Sequence, residues 1–530
     1  MTTVADLIVL NGRIKTMDPA NPTAEAVAVS GDRIAAVGAN ADIEALRGPD
    51  TRVVDAAGAS VLPGIVEAHM HLFPGAADAR NLQLAHVKGF DALKAAVDAY
   101  VATHPGSDLV IGNAADYTIL NDEANTTRHD LDRILPDRPL MLVAPDYHTA
   151  WANTIALETA GILNGRALSI GNEIVMGPDG LATGALHEGE AMDPVADLSP
   201  TGGRERLGLR TGGNPDPPAT REEREIDKTL LREGLAHCAE NGITSIHNMD
   251  GNRYQLDLLA EIEAEGDLIC RVQVPFHFKN FMPVENLDEA SELTERFNSD
   301  WLKCGRVKLF MDGVLDSGTA VMVGGYGDDP DHNCDPLFTQ DQFNAVAVEA
   351  DRRGLQIAVH AIGDGAVRMV LNGYQAARTA NGARDARHRI EHIEVVHPDD
   401  IPRFAEMGVI CSMQPPHAPG TDFPPEPTIS KIGRHRWPYS YAWRTLRDAG
   451  ARFAFASDWP VSPVDPFLGI SCGMKRAPWG DEPDQSLTLD ELIQGYTADG
   501  AYTEFMEDRK GMLKPGYYAD VVVMTSDLDA

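Results

Sequence analysis

The sequence predicts an α/β fold whose centre is a closed barrel of eight parallel βα units. From about residue 240 onwards, short apolar runs typical of strands alternate with stretches of helical periodicity, which favours parallel βα units. Seven such runs lie in this part of the chain, and Val61–Ala68 supplies an eighth. Eight units close a TIM-like (β/α)8 barrel, whose active site lies where the strands end. The seven runs are Ile243–Asn248, Val272–Phe276, Val307–Met311, Gln356–Ala361, Ile390–Ile393, Val409–Met413 and Phe453–Ser457.

Both ends of the chain predict a small β domain. Asp6–Ile14 and Ala26–Gly38 are apolar runs that contain Asn-Gly and Gly-Asp pairs, which are typical of hairpin turns. Lys514–Met524 has a similar character. We therefore expect the two ends to meet in one β-sandwich. The predicted domains are a β-sandwich of residues 1–62 and 505–530, a barrel of residues 63–74 and 226–504, and an insertion of residues 75–225.

The predicted insertion follows the first barrel strand and does not fit the count of eight units. It contains its own strand-like runs, Leu109–Gly112 and Leu140–Ala144, and a stretch rich in Gly and Pro over residues 200–218. We expect the insertion to cap the site and to shape the substrate pocket. The stretch rich in Gly and Pro is interpreted either as a mobile loop or as a plain linker.

The composition excludes several kinds of partner. The chain carries 80 Asp and Glu residues against 45 Lys and Arg, a formal net charge of −35. Such a surface repels phosphate backbones and anionic membranes, so we expect no nucleic-acid or membrane partner. The six cysteines form no C-x-x-C pair, which argues against a zinc ribbon or a dithiol site. With no apolar run of roughly 20 residues and no signal-peptide pattern, we expect a cytoplasmic protein that acts on a small molecule. A homodimer is compatible with this fold.

Histidines and a carboxylate close several of the apolar runs. His69 and His71 end the first barrel run, and because side chains alternate along a strand they point the same way. Two imidazoles on one face can bind one divalent ion. His360, His392 and Asp458 end or follow three further runs, where burial without a partner is costly. Taken together, these strand ends predict a metal site.

Lys308 is predicted to point into the barrel. It alternates with Val307 and Leu309, which should pack outwards against helices. An interior lysine is costly unless it is paired or neutralised. Two interpretations remain open: carbamylation by CO2, which gives a carboxylate-like bridge between two metals, and an ion pair with Asp312 or Asp458.

The motifs resemble those of the amidohydrolase superfamily, in particular the YtcJ-like group (amidohydrolase family 3). The resemblance covers nearly the whole chain. It implies a (β/α)8 barrel with a β-sandwich made by both chain ends, and one or two metal ions, usually Zn²⁺, although iron or manganese occupy similar sites. The motifs are Leu7–Ile14, Pro63–His71, Asp146–Leu157, Gly242–Met249, Val307–Gly313, Val359–Asp364, Arg389–His392 and Ala456–Val461. The implied metal ligands are His69, His71, carbamylated Lys308, His360, His392 and Asp458.

The chain departs from the family pattern at two places. Glu67 stands where relatives usually carry Asp, so this carboxyl group reaches further by one methylene. The sequence stops at Ala530, where relatives usually continue with a further strand or two. We therefore expect either a short sandwich or a trimmed end.

The resemblance implies hydrolysis of a C–N bond in a non-peptide amide, such as an N-substituted formamide. A divalent metal lowers the pKa of bound water towards about 7, so hydroxide bound to the metal becomes the nucleophile. Asp458 is predicted to take the proton and pass it to the leaving nitrogen, while His247 and His148 are candidates to stabilise the oxyanion. The predicted substrate contacts are Trp151, Asn248, Asp312, Gln414, His417 and Trp459.

Two alternatives stay open at this point. The same scaffold supports decarboxylation, hydration and iron-dependent hydroxylation. Redox-active iron would favour oxygen chemistry, whereas zinc would favour hydrolysis. A barrel that serves only as a scaffold or regulator would have lost several ligands, and here all six positions are filled.

Overall fold

The computed structural model describes residues 4–106, 109–120, 126–145, 147–169 and 172–529. Asp146, the first residue of one family motif, lies outside the described residues. The chain divides into two compact units, one of Met1–Leu72 with Leu235–Ala530 and the other of Phe73–Gly234. Within the described ranges, no helix combines the length and the apolar character that a bilayer crossing requires.

The first unit contains the predicted barrel of parallel strands. Neighbouring strands pair in parallel around it, as in the registers Ile246↔Glu67, Lys308↔Ala358 and Ser412↔Ala454. Backbone hydrogen bonds from Asp458 N–H to the His69 carbonyl (2.9 Å) and from His71 N–H to the Trp459 carbonyl (2.8 Å) join the last strand to the first. The α/β barrel prediction is therefore confirmed. The strands are Ile65–Met70, Ile243–Asn248, Arg271–Gln273 with Phe276–His277, Leu302–Lys303 with Arg306–Phe310, Gln356–Ala361, Arg389–His392, Ile410–Met413 and Arg452–Phe455.

Helices follow most of these strands, and local side chains fix where several of them begin. Thr339 and Gln342 form a reciprocal capping box at one helix start, which satisfies two otherwise unpaired N–H groups. Gly266 ends another helix in the left-handed conformation that glycine adopts without strain. The α-helices of this unit are Asn40–Glu44, Arg253–Glu265, Leu287–Arg296, Gln340–Arg352, Asp364–Asn381, Ile401–Met407, Thr428–Ile432, Trp443–Asp448, Pro466–Lys475, Leu489–Tyr496 and Ala498–Thr503. Short 3-10 turns cover Val284–Asn286, Pro398–Asp400, Pro415–His417 and Arg434–Tyr439.

Two four-stranded sheets lie at the chain ends of the same unit. One has the order Arg33–Gly38, Ala26–Ser30, Ala5–Leu10, Arg47–Asp55, and the other Val521–Val523, Ser60–Pro63, Arg13–Lys15, Thr23–Ala24. The C-terminal strand pairs antiparallel with the N-terminal part, with Val522 opposite Leu62. Val9 and Val27 of the first sheet and Ile14 of the second belong to one buried apolar cluster.

The second unit is built on a six-stranded mixed sheet with apolar residues on both faces. Its strand order is Glu173–Met176, Ala182–His187, Thr149–Ala152, Leu140–Val143, Val110–Asn113, Leu82–Gln83. Because side chains alternate, Met141 joins one buried cluster and Leu142 the other. The remaining helices are Leu72–Asp78, Phe90–Thr103, Arg128–Ile134, Thr154–Thr159, Gly189–Ala196, Leu207–Arg210 and Arg221–Glu240, with a 3-10 turn at Arg204–Arg206.

Candidate metal centre

His69 and His71 meet Asp458 at the carboxyl end of the first barrel strand. Both histidine Nε2 atoms lie 3.4 Å from the same oxygen, Oδ1 of Asp458. Asp458 has a positive φ of 62°, a conformation that non-glycine residues seldom adopt. This turn of the backbone, together with the hydrogen bond to the His69 carbonyl, directs the carboxylate between the two imidazoles.

The other ring nitrogen of each histidine is held by a second carboxylate. His69 Nδ1 lies 2.6 Å from Glu391 Oε2, and His71 Nδ1 lies 3.2 Å from Asp250 Oδ1. A carboxylate at Nδ1 fixes the tautomer and leaves the Nε2 lone pair free for a cation. Asp458 Oδ1 has no hydrogen-bond partner among the described residues. Two imidazole nitrogens and one carboxylate oxygen within 4.8 Å of one another therefore fit a divalent metal.

His392 and His417 extend the same cluster around Asp458. Together with Asp458 they form a second group whose potential ligand atoms lie within 4.8 Å of one another. Gln414 Oε1 lies 2.8 Å from His392 Nδ1, and the His392 and His69 rings lie 4.8 Å apart between centroids. The cluster thus spans the ends of the first, sixth, seventh and eighth barrel strands.

His360 lies beside this cluster, with its ring 4.5 Å from that of His392, but belongs to neither three-residue group among the described residues. His360 Nε2 lies 3.0 Å from the Gly313 carbonyl and 3.7 Å from Asp312 Oδ1. Lys308 is fully buried, and its Nζ has no hydrogen-bond partner in the described ranges. It lies 4.8 Å from the centroid of the Phe310 ring. The Lys308–Asp312 and Lys308–Asp458 ion pairs considered as alternatives are not among the contacts found there.

The charges of the cluster suit metal binding. Burial opposes ionisation of Asp458, but His69, His71 and His392 outweigh it and hold the pKa of its carboxyl well below the usual range. Burial lowers the pKa of His69 to about 4, so this imidazole is neutral at pH 7. Burial also lowers the pKa of His71, but Asp250 and Asp458 outweigh that effect and raise it to about 9. A cation that binds at His71 must therefore displace a proton.

Glu67 ties the first strand to the segment that carries Asp458. Its Oε1 accepts hydrogen bonds from the Ser457 backbone N–H (2.8 Å) and the Ser457 hydroxyl (3.1 Å). Burial raises the pKa of Glu67 to about 8. The longer side chain at this position therefore reaches the residue immediately before Asp458.

Most of the predicted substrate contacts in the first unit have partners inside the protein. Asn248 accepts a hydrogen bond from the Leu72 backbone N–H at 2.7 Å. Asp312 accepts three backbone N–H bonds at 2.9–3.0 Å. Gln414 binds His392, although its Nε2 has no partner among the described residues. Trp459 is buried, with its ring 5.6 Å from that of His237.

The two histidines proposed for the oxyanion differ in their surroundings. His247 is buried with Nδ1 3.1 Å from Arg389 Nη1 and Nε2 3.3 Å from Glu504 Oε1, so both ring nitrogens face protein groups. His148 lies in the second unit, where Nδ1 is 3.0 Å from Glu188. Trp151 is buried in the same unit.

Sequence reasoning missed Asp250, Glu391 and Arg389. The Arg389 guanidinium donates to Glu391 at 2.5 and 2.9 Å. Burial raises the pKa of Glu391, but Arg389 outweighs this and holds it well below the usual range. The signal for this pair was present in Arg389-Ile-Glu-His, where two charged residues of opposite sign share one face of a short strand.

A parallel barrel that gathers imidazoles and a carboxylate at the ends of its strands is suited to a metal-dependent enzyme. Residues 52–530 match the family model described as the amidohydrolase family. The chain therefore belongs to the amidohydrolase family, and the resemblance identified from its motifs is confirmed.

Known proteins similar to this chain span almost its full length. The YtcJ protein of Bacillus subtilis is 29% identical, over 97% of this chain and 93% of its own. The N-substituted formamide deformylase of Arthrobacter pascens is 25% identical, over 99% of this chain and 94% of its own. The crystal structure of an uncharacterized metal-dependent hydrolase from Pyrococcus furiosus superposes with a TM-score of 0.76 at 24% identity. The superposition covers 97% of this chain and 98% of the other. This last likeness shows the same fold.

Proposed function

We propose that this chain hydrolyses the C–N bond of a non-peptide amide, with N-substituted formamides as the leading substrate class. The likeness to an N-substituted formamide deformylase over 99% of the chain supports this class. The observation that carries the proposal is the convergence of His69 Nε2 and His71 Nε2 on one oxygen of Asp458, each at 3.4 Å.

The residues of the cluster have distinct parts in this reaction. Nitrogen and oxygen donors of this kind suit Zn²⁺, and iron or manganese accept similar ligands. Such an ion, when bound, makes hydroxide available near neutral pH and polarises a carbonyl group. Asp458 would accept a proton from the attacking water and return it to the leaving nitrogen. Glu391 and Asp250 keep the two imidazoles in register with Asp458.

The first prediction concerns metal removal. Dialysis against a chelator is expected to abolish hydrolysis of an N-substituted formamide, and one added divalent metal is expected to restore it. The measurement combines metal analysis of the purified protein with turnover of a panel of formamides, carbamates and lactams. If the protein holds zinc and hydrolyses no member of the panel, the proposed reaction is wrong and a non-hydrolytic reaction of the same scaffold takes its place.

We also propose that Lys308 is carbamylated. Burial lowers the pKa of Lys308 to about 8, so a fraction of the amine is neutral at pH 7 and can attack CO2. The amine lone pair forms the N–C bond and the nitrogen loses a proton, which gives an anionic carbamate. Such a group would supply an oxygen donor beside the cluster.

The second prediction tests this modification. Metal-free protein reconstituted with Zn²⁺ in bicarbonate is expected to gain the mass of one CO2, whereas Lys308→Met is expected to gain none. Native mass spectrometry measures the difference. Lys279→Met is the matched control, because Lys279 is a nearby lysine whose loss should leave the gain intact. An equal gain in wild type and Lys308→Met would refute carbamylation at this residue.

The domain assignments are proposed with the function. We propose that residues 1–62 and 505–530 form one β-sandwich domain, and that residues 75–225 shape the substrate pocket. Hydrogen exchange with a bound substrate analogue is expected to show protection within residues 75–225. Light scattering measures whether the protein is a homodimer.

A further inference from the structure

His247, on the second barrel strand, contacts two charged side chains in the barrel interior. Nδ1 lies 3.1 Å from Nη1 of Arg389, on the sixth strand, and Nε2 lies 3.3 Å from Glu504 Oε1. A guanidinium group can only donate hydrogen bonds, so Nδ1 accepts from Arg389. Burial lowers the pKa of His247 to about 3, so at pH 7 the ring carries one proton, on the Nε2 that faces Glu504. His247 therefore joins a buried cation to a buried anion.

Glu504 is held by further polar groups besides His247. Its carboxylate pairs with the ammonium group of Lys510 and accepts a hydrogen bond from Gln273 Nε2 at 3.2 Å. Lys510 in turn donates to the hydroxyl of Ser245, on the same strand as His247. Burial opposes ionisation of Glu504, but Lys510 and His247 outweigh it and hold the pKa of its carboxyl below the usual range. Glu504 is thus a fixed anion that orients the His247 ring.

A continuous series of side-chain contacts joins Glu504 to the metal centre. Arg389 donates to Glu391 at 2.5 and 2.9 Å, and Glu391 Oε2 lies 2.6 Å from His69 Nδ1. Each of the five residues in the series is at most 7% exposed. Because they are buried, the direction of each polar group depends on its neighbours in the series. The members, in order, are Glu504, His247, Arg389, Glu391 and His69.

The need for stability does not explain why these charged groups are buried. The interior of a parallel barrel is usually filled by branched apolar side chains. Replacing a buried ion pair by apolar residues of similar volume is often neutral or stabilising. A role in holding the Arg389 guanidinium in place does explain them, because Arg389 contacts the carboxylate that orients His69.

We propose that His247 and Glu504 are positioning residues of the metal centre. Glu504 fixes the His247 ring, and His247 fixes the direction of the Arg389 guanidinium. Arg389 then holds Glu391 in line with His69 Nδ1, so that His69 Nε2 faces the cation. This inference rests on the proposed metal-dependent function, and it gives His247 a part other than the oxyanion role predicted from the sequence.

The test measures the Zn²⁺ affinity of metal-free, folded protein by competition with a chromophoric chelator. His247→Leu removes the acceptor for Arg389 and is expected to lower the affinity by about 10-fold, the smaller effect seen for groups that orient metal ligands. His247→Asn keeps an acceptor oxygen near the position of Nδ1 and is expected to retain wild-type affinity. His388→Leu is the matched control, because His388 is also buried and contacts a carboxylate, Asp351 Oδ1 at 3.2 Å. It should lower stability and leave Zn²⁺ affinity unchanged.

A double-mutant cycle with Glu391→Gln tests the route of the effect. In Glu391→Gln protein, His247→Leu should cause no further loss of Zn²⁺ affinity, because the carboxylate through which it acts is already gone. Equal affinities in wild type and His247→Leu, or losses that add in full in the double variant, would overturn the inference.

Glu504→Gln tests the far end of the series and serves if His247→Leu does not fold. It removes one charge at nearly constant size and is expected to lower Zn²⁺ affinity, whereas wild-type affinity would contradict the part given to Glu504. Denaturant unfolding of each metal-free variant checks that the fold is retained. None of these results touches the proposed hydrolysis, which fails only when wild type binds no metal or hydrolyses no amide.

Discussion

Asp458→Asn is expected to keep its metal and to lose about 10²–10⁴-fold in turnover, the usual contribution of a general acid–base group. The side-chain oxygen that faces His69 and His71 remains in asparagine, so one cation ligand is preserved. The amide, however, cannot accept a proton near neutral pH. Asparagine also tolerates the left-handed backbone found at Asp458, whose φ is 62°. The substitution therefore separates proton transfer from metal binding and from folding.

The measurement pairs kcat on the best substrate of the panel with metal content and thermal unfolding. Asp399→Asn is the control for loss of one carboxylate, since the Asp399 side chain is 81% exposed and should leave kcat unchanged. Retained turnover in Asp458→Asn would remove Asp458 from its role as the base. Loss of both metal and turnover would instead show that the carboxylate charge is needed to hold the cation.

Part of this site follows from the alternation of side chains along strands. His69 and His71 are two residues apart on a buried strand, so a shared face could be predicted without a structure. The same alternation places Lys308 on the inner face of the fourth barrel strand. The barrel itself followed from the rhythm of apolar runs, because each βα unit repeats the same pattern.

The backbone at His392 and Asp458 could not be predicted in this way. Strict alternation along Arg389–His392 puts His392 on the face opposite to Glu391. The structure has positive φ angles at His392 (76°) and at Asp458 (62°), which end the regular strand and turn both side chains into the cluster. Such angles are uncommon outside glycine and leave no clear trace in the sequence.

The carboxylates that contact the Nδ1 atoms of the two histidines could not be predicted either, but for a different reason. Asp250 lies 179 residues from His71, and Glu391 lies 322 residues from His69. No local pattern links positions that far apart, and only the closure of the barrel brings them together. His417 was predicted as a substrate contact, because the sequence shows its loop but not its proximity to His392.

Arg389→Met is expected to have the second large effect, a loss of about 3–5 kcal/mol in the free energy of unfolding. Arg389 is completely buried. Its guanidinium donates to Glu391, to the Ala68 carbonyl at 2.6 Å and to the Ser412 hydroxyl. Removing it leaves the Glu391 carboxylate charged and buried without its cation. An uncompensated buried charge is strongly destabilising.

The same substitution should also weaken metal binding, because one hydrogen bond joins Glu391 to a histidine of the metal centre. Glu391 orients His69 by accepting from Nδ1 at 2.6 Å. Once Arg389 is gone, the Glu391 carboxylate loses the two hydrogen bonds that fix its position, and its hold on that ring is expected to weaken. Loss of such a supporting partner lowers metal affinity by about 10–100-fold. Denaturant unfolding of metal-free protein and Zn²⁺ titration of folded protein measure the two effects separately.

The double variant Arg389→Met/Glu391→Gln tests whether Arg389 affects the metal centre through Glu391. Without a buried charge it should regain part of the lost stability, yet its metal affinity should stay low because glutamine does not anchor His69 as a carboxylate does. Arg378→Met, at an exposed arginine that bonds the Glu406 carbonyl, is expected to change stability by no more than about 0.5 kcal/mol. Full metal affinity in the double variant would show that Glu391 packs beside His69 without positioning it, and the link from Arg389 to the metal centre would then be absent.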